Sequence, residues 1–459
     1  MERNKTMVDF VSQINARADE VFSWHQSFGA TERLTPPWYS AEILRQERID
    51  QQDIKFLKTD DGILQERTTA DSINRSIISQ RIKSEKQSIE HTRNFTNFND
   101  KTLIKETIKV NLLSSILPSF IIDSMIESKL AKEFNFRKFR IENDLRQHKK
   151  FAEMPRKNIA ILGAPTTLAK QFKPFFTSGG HTVYSFVKRK PYPTAREIQL
   201  NTNNNNVGLA SLKAIDTVLF FAQGENTKLT NLNIEKHLQE KLKELRLMIR
   251  SFQINQQYPE TFIMMSNTCV YKNLKASITE YTQTSTETEI ARYFLTLEHE
   301  LKRLSDKGVR VVYARTGNIL NAKSGILKDA VNKQKFAFCR QNYEHSKYLN
   351  WTSLDDAIYA TNHIMFDETL HAGVNICSSM TINSNDLGKL LAKNTHRSFL
   401  FTLPAFIFKA TCGNIMNEKI FQGNSVYPQK LKRAGFEFSL ENINDALNWE
   451  TGNLNSNLY

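Results

Sequence analysis

The chain has 459 residues, 40% hydrophobic and 24% charged, with a formal net charge of +14. Such a length holds two or three domains, and these fractions belong to a globular protein rather than a disordered or fibrous one. Lys and Arg are spread along the whole chain without a clustered patch, so the surplus reads as a solvated surface and no nucleic-acid partner is expected. The four cysteines, Cys269, Cys339, Cys377 and Cys412, are far apart, with no C-x-x-C and no His spacing of a zinc site. Reduced thiols and no metal are expected. The N-terminus has no apolar signal core. The best apolar run, Phe399 to Phe408, contains Pro404 and falls short of the roughly 18 residues of a membrane span. No span and a cytoplasmic location are expected.

In residues 1–150, Val8 to Ile14 reads as a strand and Ala18 to Gln26 as a short helix carrying Val21, Phe22 and Trp24. Gly29 to Trp38 is rich in turn formers and is expected to hold no regular element. Ala41 to Val110 breaks into short strand-like stretches, with period-two patterning at Ser76 to Ile82 and Leu103 to Val110. Pro118 opens a long helix with Ile122, Met125, Ile126 and Leu130 on one face. This order predicts a curved sheet wrapped around the last helix, a shape able to enclose an apolar cavity.

The run VFSWHQSFGATERLTPPW, from Val21 to Trp38, and the later Asp144-Leu145-Arg146-Gln147-His148 resemble the opening and close of a START-like, polyketide cyclase-like domain. In bacteria that domain is fused to an atypical short-chain dehydrogenase/epimerase-family protein. The resemblance implies a helix-grip fold and a small apolar ligand. Read by themselves, Trp24, His25 and Trp38 are packing residues.

After a linker at 151–157, Asn158 to Leu162 is an apolar run of the kind that forms a buried parallel strand, and Gly163 ends it. Leu168 to Phe176 can form a helix with Leu168, Phe172 and Phe175 on one face, bent or shortened by Pro174 and stopped by Gly179-Gly180. His181 to Val187 is a second strand, ending in Lys188-Arg189-Lys190. Strand, glycine turn, helix, strand is the layout of a dinucleotide-binding unit, in which a pyrophosphate meets backbone N–H groups at the helix N-terminus. Gly163, Ala164, Thr166, Thr167 and Leu168 would form that cradle. In the G-x-x-G-x-x-G spacing Ala169 is a mild replacement, whereas Thr166 sets a branched side chain where phosphate should approach. The other reading is an ordinary turn in a parallel sheet. Lys188 and Arg189 suit a 2′-phosphate, which favours NADP over NAD.

A Pro- and Asn-rich stretch ends in Asn201 to Asn206, a loop or frayed hairpin. Asp216 to Ala222 is the next buried strand, followed by an amphipathic helix marked by Leu238, Leu242, Leu245, Met248, Ile249 and Phe252. Thr261 to Met265 and Val309 to Ala314 are further strands on either side of a helix at Glu287 to Leu304, and Gly373 to Ile376 is a late strand. The fold class expected is an α/β Rossmann-like doubly wound parallel sheet, preceded by an α+β helix-grip domain.

Several turns resemble those of extended short-chain dehydrogenases and of the epimerase family. Gln223-Gly224-Glu225-Asn226 is similar to a family turn with one residue inserted, which implies cofactor contact by Ala222 and Gly224. Ser266-Asn267-Thr268-Cys269-Val270-Tyr271 resembles the turn whose Ser or Thr hydrogen-bonds the substrate oxygen. Ser266, Asn267 and Thr268 are thereby the candidate catalytic residues, with Asn267 at the matching position. Arg315-Thr316-Gly317-Asn318-Ile319-Leu320 is similar to the turn beside the nicotinamide, which adds Arg315 and Gly317. Asn350 to Asp356 matches another family run, and Asp355-Asp356 is expected to cap the following helix. Leu403 to Trp449 resembles the family's short C-terminal domain of unknown function.

The Tyr-x-x-x-Lys pair of ordinary short-chain dehydrogenases is missing. With Glu298 aligned to the family's helix glutamate, the pair falls on Ile290 and Phe294, and Tyr293 has Leu297 four residues on. The resemblance implies a START-like domain at 1–150, an NAD(P)-binding Rossmann epimerase-like domain at 157–400 and the short domain at 403–450. It implies an NADP-binding, epimerase/dehydratase-like protein. The alternative is a non-catalytic binding or regulatory protein on a degenerate Rossmann scaffold.

Overall fold

The structure is a computed structural model describing residues 4–39, 41–50, 52–59, 62–84, 87–112, 119–163, 167–187, 196–201, 206–207, 214–223, 229, 233–274, 276–325, 327–328, 348–383, 386–387, 389–390, 393 and 424–453. The chain divides into two compact units, one built on Met1–Ala152 and the other on Glu153–Phe176 and Gly180–Thr451.

The first unit opens with β1 (Asn4–Ile14), α1 (Ala18–Gln26) and α2 (Ala30–Leu34). Six strands follow: β2 (Glu42–Ile49), β3 (Gln52–Thr59), β4 (Gly62–Asp71), β5 (Ser76–Ser84), β6 (Gln87–Phe98) and β7 (Lys101–Leu112). The unit ends in α3 (Ser119–Lys149). The strands make one antiparallel sheet in the order β1-β7-β6-β5-β4-β3-β2. Val21, Phe22 and Trp24 of α1 pack with Phe95 and Ile104 of the sheet and Ile141 of α3.

Three expectations change here. The turn-rich stretch after Gly29 does hold a helix, α2. Gly29 takes the left-handed φ of 94° and its carbonyl accepts from Arg33 N at 2.9 Å, while the two prolines fall after the last turn. On the apolar face foreseen for the first turns of α3, Met125 is 63% exposed and Ile126 and Leu130 are half-buried, while the side chain of Ile122 lies outside the described residues. The buried part comes later, at Phe134, Phe136 and Ile141. The cavity inside the sheet, expected to be apolar, measures about 300 Å³ and is lined largely by polar and charged side chains.

The second unit alternates strand and helix: β8 (Asn158–Leu162), α4 (Thr167–Ser178), β9 (Thr182–Val187), β10 (Glu197–Asn201), β11 (Asn206–Val207), β12 (Thr217–Phe221), α5 (Ile234–Asn255) and β13 (Thr261–Asn267). Then come β14 (Ser277–Ile278), α6 (Glu289–Ser305), β15 (Arg310–Thr316), β16 (Asn318–Leu320), β17 (Tyr348–Leu349), β18 (Trp351–Ser353), α7 (Leu354–Phe366), β19 (Ala372–Ile376) and β20 (Ile382–Asn383). The described C-terminal part holds β21 (Ser425–Val426), α8 (Gln429–Arg433) and α9 (Ile443–Thr451).

The main sheet runs β11-β10-β9-β8-β12-β13-β15-β19, with seven parallel strands and β11 antiparallel at the edge. From β8 the chain builds outward to β9 and β10, then returns to the other side of β8 to lay down β12. This is the Rossmann-like order. The central strands are buried on both faces: every residue of β12 and β13 is buried. Leu242, Leu245, Met248, Ile249 and Phe252 of α5 bury the stripe read from the sequence. α4 continues through Pro174 to Ser178 rather than stopping short. Gly180 then takes a left-handed φ of 85° and His181 N reaches Phe176 O at 3.1 Å, closing the helix. The asparagine-rich stretch begins and ends as a hairpin, with Asn201 opposite Asn206. Among the described residues no helix is long and apolar enough to cross a membrane.

Candidate functional site

In an open parallel sheet the crevice for a ligand lies beyond the carboxyl ends of the strands, where the strand order reverses. Here that point lies between β8 and β12. Gly163, the first residue after β8, has a φ of +93°, and a Cβ built on it would stand 2.4 Å from the Phe221 carbonyl oxygen at the end of β12. The two strand ends therefore meet backbone to backbone, and only glycine fits between them. α4 starts four residues later at Thr167, with Leu168 half-buried and Ala169 buried. Ala222 follows β12 and offers its carbonyl to the Tyr293 hydroxyl at 2.7 Å. Ala164, Thr166, Lys188, Arg189 and Gly224, and the side chain of Thr167, lie outside the described residues.

On the other side of the crevice β13 and β15 pair in register, with Ser266 opposite Arg315 and Asn267 opposite Thr316. β15 runs further than foreseen, so Arg315 and Thr316 are strand residues and the turn is Gly317 alone before β16. A buried carboxylate from α6 joins the two strands. Glu298 accepts from Ser266 Oγ at 2.7 Å, from Arg315 Nε at 3.1 Å and from Arg315 Nη2 at 2.7 Å. Burial alone would lower the Arg315 pKa, but the bonds to Glu298 outweigh it and push the value up. The Arg315 guanidinium also lies 5.0 Å from the centre of the Tyr271 ring. Burial pushes the Tyr271 phenol up to about 12, and its hydroxyl donates to Asn375 Oδ1 at 2.6 Å.

The predicted catalytic residues thus come together, but with their polar groups engaged. The Ser266 hydroxyl is given to Glu298. Asn267 Oδ1 accepts from Cys269 N at 2.9 Å and caps the turn Thr268–Val270. Thr268 is 1% exposed. Gly317 is needed for packing, since a Cβ there would come within 2.7 Å of the Asn350 backbone. Ile290 and Phe294, where a Tyr–Lys pair would stand, are 0% and 2% exposed in the core. Tyr293 is equally buried, and burial pushes its phenol well above the ordinary range.

Sequence reasoning used Glu298 only as an alignment mark and missed it as the hub. A signal was available: Glu298 interrupts the apolar stripe Ile290, Phe294, Leu297, Leu301, and a carboxylate on a buried helix face needs partners.

Asp355 and Asp356 also differ from expectation. The N-cap of α7 is Ser353, whose side chain accepts from Asp356 N at 3.0 Å. The two carboxylates face the C-terminal segment instead. Asp356 accepts from Ser439 N at 2.6 Å and Leu440 N at 3.0 Å, and Asp355 from Trp449 Nε1 at 2.9 Å. Among the described residues no group of three or more His, Cys, Asp or Glu is arranged to hold a metal ion.

Comparison with known proteins agrees with this layout. The family model described as a domain of unknown function, DUF1731, matches residues 403–450. The epimerase family protein ML0860 of Mycobacterium leprae is 22% identical over 296 residues, covering 64% of this chain and 95% of that protein. The epimerase family protein YfhF of Bacillus subtilis is 25% identical over 298 residues, covering 63% of this chain and 96% of that protein. Among solved structures, a nucleoside-diphosphate sugar epimerase from Corynebacterium glutamicum aligns with a TM-score of 0.78 at 18% identity, over 97% of this chain and 90% of its own. Human epimerase family protein SDR39U1, solved with NADPH, aligns with a TM-score of 0.54 at 16% identity, over 65% of this chain and 100% of its own. Beyond its antiparallel first unit, this chain is therefore similar to the epimerase-family proteins and carries a Rossmann-like fold.

Proposed function

We propose that the second unit is an NAD(P)-binding, epimerase-type module whose dinucleotide lies across the crevice between β8 and β12. The observation that carries this reading is the left-handed Gly163 at the strand-order reversal, with α4 beginning four residues on at Thr167. That geometry brings backbone N–H groups to the place where a pyrophosphate binds in such folds. Gly163, Ala164, Thr166, Thr167 and Leu168 would hold the pyrophosphate, with Ala222 and Gly224 beside it. Lys188 and Arg189, after β9, would take the 2′-phosphate of NADP. Arg315 and Gly317 would back the nicotinamide end, Arg315 by fixing β15 through Glu298. A bound nicotinamide supplies hydride transfer. The relative solved with NADPH supports the preference for a nicotinamide dinucleotide.

The proton chemistry differs from that of an ordinary short-chain dehydrogenase. Ile290 and Phe294 carry no proton, Tyr293 donates its own to Ala222, and Ser266 gives its own to Glu298. With Asn267 Oδ1 bound to Cys269 N, its Nδ2 would be the group to meet a substrate oxygen. These engaged side chains favour a second reading, a dinucleotide-binding protein that senses or regulates without turnover.

For the first unit we infer a START-like helix-grip domain. The order strand, two short helices, six-stranded meander and long helix supports it. So does the bidentate pair of Arg33 Nε and Nη2 with Asp144, at 2.7 and 2.6 Å, which joins the two sequence runs that carry the resemblance.

The test is titration calorimetry of NADPH, NADP, NADH and NAD against the full chain and a Lys188→Glu/Arg189→Glu double variant. Micromolar NADPH binding that the double variant loses supports the proposal. No heat with any of the four removes the oxidoreductase reading and leaves a scaffold without cofactor.

A further inference from the structure

The inner face of the first unit's sheet is charged where a ligand carrier would be greasy. Residues directly opposite on neighbouring strands point the same way, and here they alternate in sign. Lys55 on β3 stands opposite Glu66 on β4, Glu66 opposite Arg81 on β5, and Arg93 on β6 opposite Glu106 on β7. Most of these charges are matched. Lys55 Nζ lies 3.9 Å from Glu66, and Arg81 Nε donates to Glu66 at 2.5 Å. Glu106 is taken by His91 Nε2 at 2.5 Å and approached by Arg137 at 3.9 Å, while Arg137 also holds Glu133 at 2.8 Å.

Arg93 is the exception. Its Nη2 donates to Ser79 Oγ at 2.7 Å, its Nε is buried with no hydrogen-bond partner, and among the described residues no carboxylate lies within 4.0 Å of it. An Nε left so is costly to bury, because water has been removed from it and no acceptor replaces it. It lines the cavity of about 300 Å³. The rest of that lining is complementary to a hydroxylated anion. Arg48 and Asp53 neutralise one another at the rim at 2.8 Å, and of the remaining charged lining residues Lys55 and Arg93 are cationic and Glu66 is anionic. Thr68 and Ser79 bring hydroxyls to the lining, bonded to one another at 3.1 Å, and a ligand hydroxyl would join that pair. His25 hydrogen-bonds the Val21 carbonyl through Nδ1 at 2.8 Å, and since a carbonyl only accepts, Nδ1 carries the proton and Nε2 remains an acceptor.

We propose that the first unit binds a compact hydroxylated carboxylate, of the size and polarity of a sugar acid, with its carboxylate on the fork of Arg93 and its hydroxyls on Ser79, Thr68 and His25. A carboxylate can take two parallel bonds from the two-pronged guanidinium. A fatty acid of similar volume would bury its chain against Lys55, Glu66 and Arg93 and lose the hydration of all three.

The experiment is calorimetric titration of the full chain, in low-chloride buffer, with gluconate, glucose, inorganic phosphate and decanoate. Gluconate is expected to bind saturably and at least about tenfold more tightly than glucose or phosphate. Arg93→Gln should weaken it at least about tenfold, the loss of one charge-assisted pair. Arg93→Lys keeps the charge and loses the fork; it serves if the glutamine variant fails to fold, and it too should bind several-fold more weakly. Preferential binding of decanoate, binding of phosphate alone, or no binding of any probe overturns the proposal, as does gluconate binding indifferent to Arg93. NADPH affinity of the second unit is a separate readout that Arg93→Gln should leave unchanged.

Discussion

Gly373 makes the room in which the Arg315 guanidinium lies: a Cβ on Gly373 would stand 2.8 Å from Arg315 Nη1. The two residues sit on adjacent strands, β19 and β15, and the missing side chain on one allows the long side chain of the other to turn back toward α6. Gly373→Ala should therefore push Arg315 off Glu298 and lower the thermal midpoint. Glu298→Gln should cost about 3–5 kcal/mol, since it leaves a buried guanidinium without its counter-charge. Denaturant unfolding checks both. If Glu298→Gln unfolds at the wild-type denaturant concentration, the carboxylate is not the hub of this edge.

Gly163→Ala is expected to be more severe than a surface glycine change. The new Cβ would meet the Phe221 carbonyl at 2.4 Å and would also need a φ near +93°. Strained backbone of this kind costs about 1–3 kcal/mol before the clash is counted. The measurement is the thermal midpoint alongside NADPH titration, and a variant as stable as the parent would refute the close contact of β8 and β12.

Tyr293→Phe separates a structural from a catalytic tyrosine. It removes the bond to the Ala222 carbonyl and should cost about 1–2 kcal/mol. NADPH affinity should stay within about twofold, and any turnover found should persist with an unchanged pH profile. A loss of turnover with no loss of stability would give Tyr293 a chemical role.

The first unit should weaken in acid. Burial, with help from Arg93, lowers the His25 pKa from 6.5 to about 3. The folded value lies below the unfolded one, so the contribution of the neutral imidazole is complete above pH 6.5 and is lost as pH falls toward 3. Burial would raise Glu66, but Arg81 and Lys55 outweigh it and hold it at about 2. Its contribution is complete above about pH 4.5 and is lost below that. Hydrogen exchange of the α1 and β4 amides, followed by mass spectrometry at pH 7.5 and 5.5, should show faster opening at the lower pH after correction for intrinsic exchange. His25→Gln should lessen that difference, the remainder coming from His91, which burial lowers to about 4. Equal protection at both values would contradict the sign.

Legibility in the sequence followed periodicity. Asn158 to Leu162 and Asp216 to Ala222 are short apolar runs, and both became central strands because burial on two faces leaves no alternative pattern. α1 and the α5 stripe were readable for the same reason. What escaped was pairing between elements distant in sequence. Nothing near Glu298 announces Ser266, 32 residues away, and Asp356 finds its donors at Ser439 and Leu440, 83 and 84 residues on. The charged lining of the first unit escaped differently. Lys55, Glu66, Arg81, Arg93 and Glu106 each look like solvated strand positions until register sets them on one inner face.

The seam between α7 and the C-terminal segment sets an order on synthesis. Asp355 and Asp356 leave the ribosome long before Trp449, Ser439 and Leu440, and β14 waits equally for β21. Until Ser439 and Leu440 are translated, Asp356 has only the Ser353 hydroxyl as a donor, and Asp355 waits for Trp449 of α9. A truncation before Ser439 would leave both carboxylates without these donors and should destabilise the second unit.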